Sequence, residues 1–259
     1  MINKQKSMSW VVAICTYLFA GFIQAELIAY DNFNYTLGTT IAAGGELGSE
    51  TNGFVNTWFF SDITGEVVNN LTYSGVESSG NALSINGTGG YLFRGMEASL
   101  PKGTYYISYL FYRSAAEGWN LQLKHASTLA SGPTSSTKVL ATFDAVPAGR
   151  ARLKTGGSGT VGVADAPYFT FGTTNLALIK LVITDTDTTA SMNIYNAGAV
   201  IDTSSWAMTS SDSVTGGSGW RLTNAGTGSY PLIIDEFRVG TELSDVIPSP
   251  RGLSLFLVY

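Results

Sequence analysis

The sequence predicts an all-β protein, an antiparallel sandwich or barrel, and three observations carry that prediction. Gly, Ser and Thr number 30, 27 and 29 of the 259 residues, while 44% of the chain is hydrophobic and 12% aromatic. That is too apolar for a disordered tract and too poor in Ala, Glu, Lys and Leu for a helical bundle. No window shows the 3.6-residue amphipathic repeat of a long helix. Short runs of β-branched and aromatic residues recur instead, most of them separated by Gly, Ser, Asn or Pro. Many strands without crossover helices imply an antiparallel sandwich or barrel.

The first 25 residues read as an address. Lys4 and Lys6 precede an apolar run from Met8 to Ile23, which ends at Gln24-Ala25. This layout predicts a secretory signal peptide cleaved after Ala25; a run of sixteen residues, apolar apart from Ser9 and Thr16, is short of the ~20 a membrane span needs. Cleavage also removes Cys15, so the exported domain must be stable through its core without disulfides, and its size allows that. The domain is expected to run over 26–246, with no composition break inside it, and to end in a short tail at 247–259.

Along the domain, short strands are expected at 27–30, 71–74, 82–85 and 91–94. The strongest strand is 105–113, Tyr-Tyr-Ile-Ser-Tyr-Leu-Phe-Tyr-Arg. Weaker ones follow at 120–124, 139–143 and 168–171. Residues 176–184 carry Leu176, Leu178, Lys180 and Val182 on one face and Ala177, Ile179, Leu181 and Ile183 on the other. Both faces are mostly apolar, which predicts a central strand. Asp185-Thr186-Asp187-Thr188 supplies turn chemistry before a partner strand at 191–195. In 232–239, Ile233, Asp235, Phe237 and Val239 alternate against Leu232, Ile234, Glu236 and Arg238. The stretches 156–159 and 216–219, both Gly-Gly-Ser-Gly, read as loops.

Three stretches share a likeness. Leu27-Ile28-Ala29-Tyr30-Asp31-Asn32-Phe33-Asn34-Tyr35, then Leu37-Gly38, resembles the opening of a large group of exported bacterial proteins. Residues 103–112 resemble that group's middle strand, and Ile234-Asp235-Glu236-Phe237-Arg238-Val239-Gly240-Thr241 resembles its closing strand. The resemblance implies a concanavalin A-like (laminin-G-like) jelly roll. Members often end in a PEP-CTERM sorting tail; here Ile247-Pro248-Ser249-Pro250 and the mostly apolar eight residues from Gly252 to Tyr259 correspond to a truncated or degenerate one. Eight residues reach about 12 Å, too short to span a bilayer. The implied location is secreted or cell envelope.

The chemistry is narrow. One His and one Cys exclude Cys/His zinc sites. An acidic chain, net charge −5, with basic residues scattered along the sequence argues against nucleic acid. The laminarinase-type Glu-x-Asp-x-x-Glu strand is absent, and Asp235-Glu236 cannot replace it, because neighbouring strand residues point to opposite faces. Their expected role is solvent-facing or loop-tethering. Gln122 and His125 are misspaced for a lyase's Gln-x-His, and His125 has no nucleophile elbow to serve. The expectation is no enzyme and no cofactor other than calcium, for which Asp185 and Asp187 are the carboxylates on offer. Trp119 and Trp206 are the tryptophans expected to be exposed, as platforms for a polysaccharide. The sequence therefore reads as an exported, non-catalytic β-sandwich making weak glycan contacts. The alternatives are a polysaccharide hydrolase or lyase, and a structural surface protein whose tryptophans are all buried.

Overall fold

The computed structural model describes residues 26–48, 53–87, 89–115, 119–124, 139–146, 150–155, 169–212, 219–224 and 230–247. In chain order the strands are β1 (Leu27–Asp31), β2 (Thr40–Ile41), β3 (Glu46–Leu47), β4 (Phe54–Ser61), β5 (Thr64–Asn69), β6 (Asn81–Asn86), β7 (Tyr91–Met96) and β8 (Gly103–Arg113). They continue with β9 (Trp119–Lys124), β10 (Val139–Val146), β11 (Arg150–Thr155), β12 (Thr174–Ile183), β13 (Thr188–Tyr195), β14 (Met208–Asp212), β15 (Gly219–Asn224) and β16 (Leu232–Gly240). A single helical turn, α1 (Leu243–Val246), follows β16.

All pairings are antiparallel and build two sheets. The nine-stranded sheet runs β14-β13-β12-β8-β16-β6-β5-β2, with β1 also paired to β16; the seven-stranded sheet runs β11-β10-β9-β15-β7-β4-β3. One hydrophobic core lies between them, with Trp58, Phe60, Leu92, Leu121, Leu153 and Trp220 from the seven-stranded sheet meeting Leu83, Ile107, Tyr109, Ile179, Phe237 and others from the nine-stranded one. Phe237 sits at its centre, with Trp58, Trp220, Tyr109 and Phe54 rings all within 5.2–6.3 Å of its own.

The two-faced reading of 176–184 holds. Ala177, Ile179, Leu181 and Ile183 enter the core between the sheets, and Leu176 and Leu178 enter a second cluster on the outer side. That second cluster is what both faces of β12 require: its outer face is covered as well. Leu71, Tyr73 and Val76 from the loop after β5, Tyr195 of β13 and Val246 of α1 are buried there, with Ile201 and Trp206 packed against them.

Four expectations need correction. Residues 71–74 form no strand but a lid carrying an isolated Tyr73–Val76 bridge, and Leu71 and Tyr73 alternate with exposed polar residues because they cover the second cluster. Residues 169–171 are likewise not a strand; Phe169 packs edge-on against Phe111 and Phe171. Gly219 opens β15 rather than ending a loop. The strict alternation in 232–239 breaks at a β-bulge between Asp235 and Arg238, where Glu236 takes φ +51°. The extra residue shifts the parity, so Leu232 and Ile234 before it and Phe237 and Val239 after it all face the same core.

Candidate functional site

The residues that carry the sequence resemblance build a buried polar junction. The first half of β16 pairs with β6 and its second half with β1, so β1 and β6 lie end to end along one edge of β16, opposite the bulge. Asn81 N–H donates to the Asn32 carbonyl where they meet. Asp31 closes β1 on the core side. It accepts from Phe33 N–H at 2.7 Å, Trp58 Nε1 at 2.8 Å and Tyr35 Oη at 2.8 Å, and pairs with the fully buried Arg94 guanidinium. That guanidinium also lies over the Phe54 ring at 4.6 Å.

Asp235 and Glu236 are 0% and 1% exposed, so the solvent-facing part of their expected role is wrong and the tethering part is right. Asp235 accepts from Leu71 N–H at 2.8 Å, and Glu236 from Ser79 N–H at 2.5 Å. Glu236 also takes Tyr30 Oη at 2.9 Å and Arg238 at 2.6 Å, and Arg238 stacks over the Tyr30 ring at 4.1 Å. Burial pushes the Asp235 carboxyl up to about 8, the nearby Glu236 and Asp31 charges add to the rise, and the Leu71 and Glu236 N–H groups oppose it. Burial likewise pushes Tyr30 up to about 12 and Tyr35 higher still. The junction is sealed and internally committed. Its chemistry is fastening.

The tryptophans expected on the surface are not brought to one place. Trp119 opens β9 in the seven-stranded sheet, opposite Ala145 and Asn224 and two positions before the buried Leu121; its side chain lies outside the described residues. Trp206 is half-buried against the second cluster of the nine-stranded sheet. Its loop is clamped by Asn193, which donates to the Ser205 carbonyl at 2.8 Å and accepts from Ala207 N–H at 2.7 Å. Asp185 and Asp187 are both exposed. The Asp185 carboxylate meets the Lys102 ammonium at 3.2 Å, and Asp187 accepts from the Thr186 and Thr184 hydroxyls at 2.8 and 3.2 Å in a hairpin turn. A calcium ion takes six to eight oxygens, and among the described residues no group of three or more His, Cys, Asp or Glu could hold a metal. Cys15, His125 and the tail from Pro248 lie outside the described residues, as does the Gln122 side chain.

Among the described residues, two surfaces could hold a ligand. One is an open cavity of about 320 Å³ at the β2–β5–β6 edge, lined by Thr40, Thr64, Glu66, Ser84 and Asn86 among others. It offers hydroxyls but no ring to stack on. The other is the outer face of the seven-stranded sheet. Trp220 and Leu222 face the core, so Arg221 between them faces out, and its guanidinium lies over the Tyr91 ring at 4.1 Å. Arg221 is level with Phe93 on β7, which is level with Phe59 on β4. Tyr91 and Phe59 are half-buried and Phe93 is 4% exposed. On the other side the register carries the row from Arg221 to Gln122, Thr142 and Lys154, and a parallel row runs Tyr91, Thr223, Asn120, Asp144, Arg152. Sequence reasoning passed over Arg221 and Tyr91, since a single Arg within Gly-Trp-Arg-Leu-Thr carries no signal until the strand pairing is known.

No protein-family model matches the chain, and no curated protein matches it in sequence. Solved structures do match in fold. The VIP36 exoplasmic/lumenal domain in its Ca2+/Man-bound form is 9% identical with a TM-score of 0.40, covering 71% of this chain and 84% of that one. Lectin UEA-II complexed with galactose is 8% identical with a TM-score of 0.40, over 83% and 98%. The T. cruzi calreticulin globular domain is 10% identical with a TM-score of 0.53, over 86% of this chain and 90% of that one. That last superposition, with the two antiparallel sheets, shows the fold: a concanavalin A-like jelly-roll sandwich.

Proposed function

We propose that the chain is an exported, non-catalytic β-sandwich of the cell envelope or extracellular matrix that binds a glycan weakly on the outer face of its seven-stranded sheet. The observation that carries the reading is the Arg221–Tyr91 stack, set beside Phe59 in a sheet face whose neighbouring register positions are amides and hydroxyls. Aromatic planes suit the apolar faces of sugar rings, and amide and hydroxyl groups suit their rims. The commitment of Asp31, Asp235 and Glu236 to internal partners supports a non-catalytic role, since a glycosidase needs two carboxyl groups open to its substrate. The sugar ligands of VIP36 and UEA-II structures agree with this reading without carrying it.

The test is binding of the purified chain to a polysaccharide panel, with calcium and with chelator. Saturable binding that Tyr91→Ala weakens and Trp206→Ala leaves intact assigns the site to the seven-stranded sheet. Loss on Trp206→Ala with the fold preserved moves it to the other sheet, and Trp119→Ala reports on the start of β9. Chelator sensitivity would bring the Asp185–Asp187 turn in. No binding leaves a structural surface protein, and turnover of any polymer restores the hydrolase or lyase alternative. N-terminal sequencing of exported material should begin at Glu26.

A further inference from the structure

The basic residues look scattered along the sequence, yet the strand pairing gathers them. Leu121 and Leu153 are buried in the core, so their neighbours on β9 and β11 belong to the opposite, outer face. The continuous register then places positions 124, 150, 152 and 154 on the face that holds Arg221. Five of the chain's 14 Lys and Arg occupy this face, against two of its 19 Asp and Glu, Glu46 and Asp144, at the described strand positions. The distribution is the reverse of the whole-chain balance. Arg221 is half-buried and makes no ion pair among the described residues. A guanidinium held on an aromatic face, with donors to spare, is preorganised for an oxyanion.

Building on the glycan-binding reading, we propose that the ligand is an anionic polysaccharide whose carboxylate or sulfate groups are met by Arg221 and the basic positions on β9 and β11. Strands lie about 4.8 Å apart, so the row from Arg221 to Lys154 spans about 14 Å, room for a few sugars laid across the strands. The interleaved positions Asn120, Gln122, Thr142 and Thr223 suit sugar hydroxyls, which a nucleic acid backbone lacks at that density. Because the protein as a whole is acidic, the attraction is local. Salt therefore weakens binding through this face, whereas it would strengthen contact dominated by overall repulsion.

The experiment compares a polyuronate (alginate), the same polymer with its carboxyls reduced, dextran, and single-stranded DNA, each at 20 and 200 mM salt. The proposal expects the polyuronate to bind and its reduced form to bind at least tenfold more weakly. Arg221→Gln should lose roughly tenfold, as expected for a charge-assisted hydrogen bond. Arg152→Gln with Lys154→Gln should lose more. Lys180→Gln, the same charge change on the nine-stranded sheet, should match the wild type, and near-ultraviolet circular dichroism checks each fold. Equal binding of the reduced polymer, an unchanged Arg221→Gln, binding that rises with salt, or DNA binding as tight as polyuronate would each overturn the proposal. Binding confined to neutral polymers would overturn the charge assignment and leave the glycan reading standing, while no binding to any polymer would overturn both.

Discussion

The two sheets treat their outer faces in opposite ways. The nine-stranded sheet presents Leu110, Leu176, Leu178 and Ala82 outward and closes over them with the loop after β5, the loop after β13 and α1. Each cover is held by a polar group reaching from the sheet. Asp235 and Glu236 hold the first loop, Asn193 the second, and the Ser108 hydroxyl donates to the Val246 carbonyl in the third. The seven-stranded sheet instead turns Arg221, Tyr91 and Phe59 outward, with polar and basic register positions beside them. Buried polar residues here fasten covers, and the half-exposed ones on the other sheet have no such task. The contrast separates residues kept for stability from those free to meet a ligand.

The largest expected effect lies at the junction that anchors both sheets. Asp31→Ala removes the carboxylate that pairs with the buried Arg94 guanidinium and the acceptor of three further donors, so urea unfolding should show a loss of about 3–5 kcal/mol. Asp235→Asn tests the first cover through pH. Its carboxyl keeps its proton to about pH 8 when folded but loses it near 3.8 when unfolded, so the folded state binds more protons and stability falls as pH rises through that window. The stability of Asp235→Asn relative to wild type should therefore climb between about pH 4 and 8, by at most ~1.4 kcal/mol per pH unit, and level off above. A flat difference would mean that the carboxylate is fully ionised in place. Asn193→Ala should cost about 1–2 kcal/mol and speed amide exchange at Ala207 well before it affects the core strands. Arg221→Gln should change stability by no more than about 1 kcal/mol, the worth of its stack on Tyr91, while weakening polyuronate binding; a larger loss would make the arginine another fastener and erase the contrast.

Part of this organisation was readable in advance. β8 and β12 stand out because a strand covered on both sides must be apolar on both, and 176–184 shows that directly. β4 escapes a period-2 search, because the polar Asn56 interrupts the core-facing series Phe54, Trp58 and Phe60 while Val55 and Phe59 make alternate positions apolar as well. Residues 71–74 mislead for a different reason: a lid over an apolar face has the composition of a strand. Tyr30-Asp31 and Asp235-Glu236 are conspicuous as motifs, but that they meet across β1 and β16 follows from pairing between residues 206 apart in the chain. The basic face is the least legible, since positions 124, 152 and 221 come onto one face of one sheet only through the register of β9, β10, β11 and β15.

The position of β16 also sets the timetable of synthesis. This penultimate element fills a slot between β8 on one side and β6 with β1 on the other. A chain still emerging from a ribosome or a translocon has both rims of that slot in hand and nothing to put between them, and open strand rims accept strands from other molecules. Completion therefore waits until residue 240 is delivered, which makes folding late and dependent on long-range pairing. A product cut short before residue 232 would retain most of its apolar residues, lack the strand that zips them together, and be drawn into aggregates with its siblings.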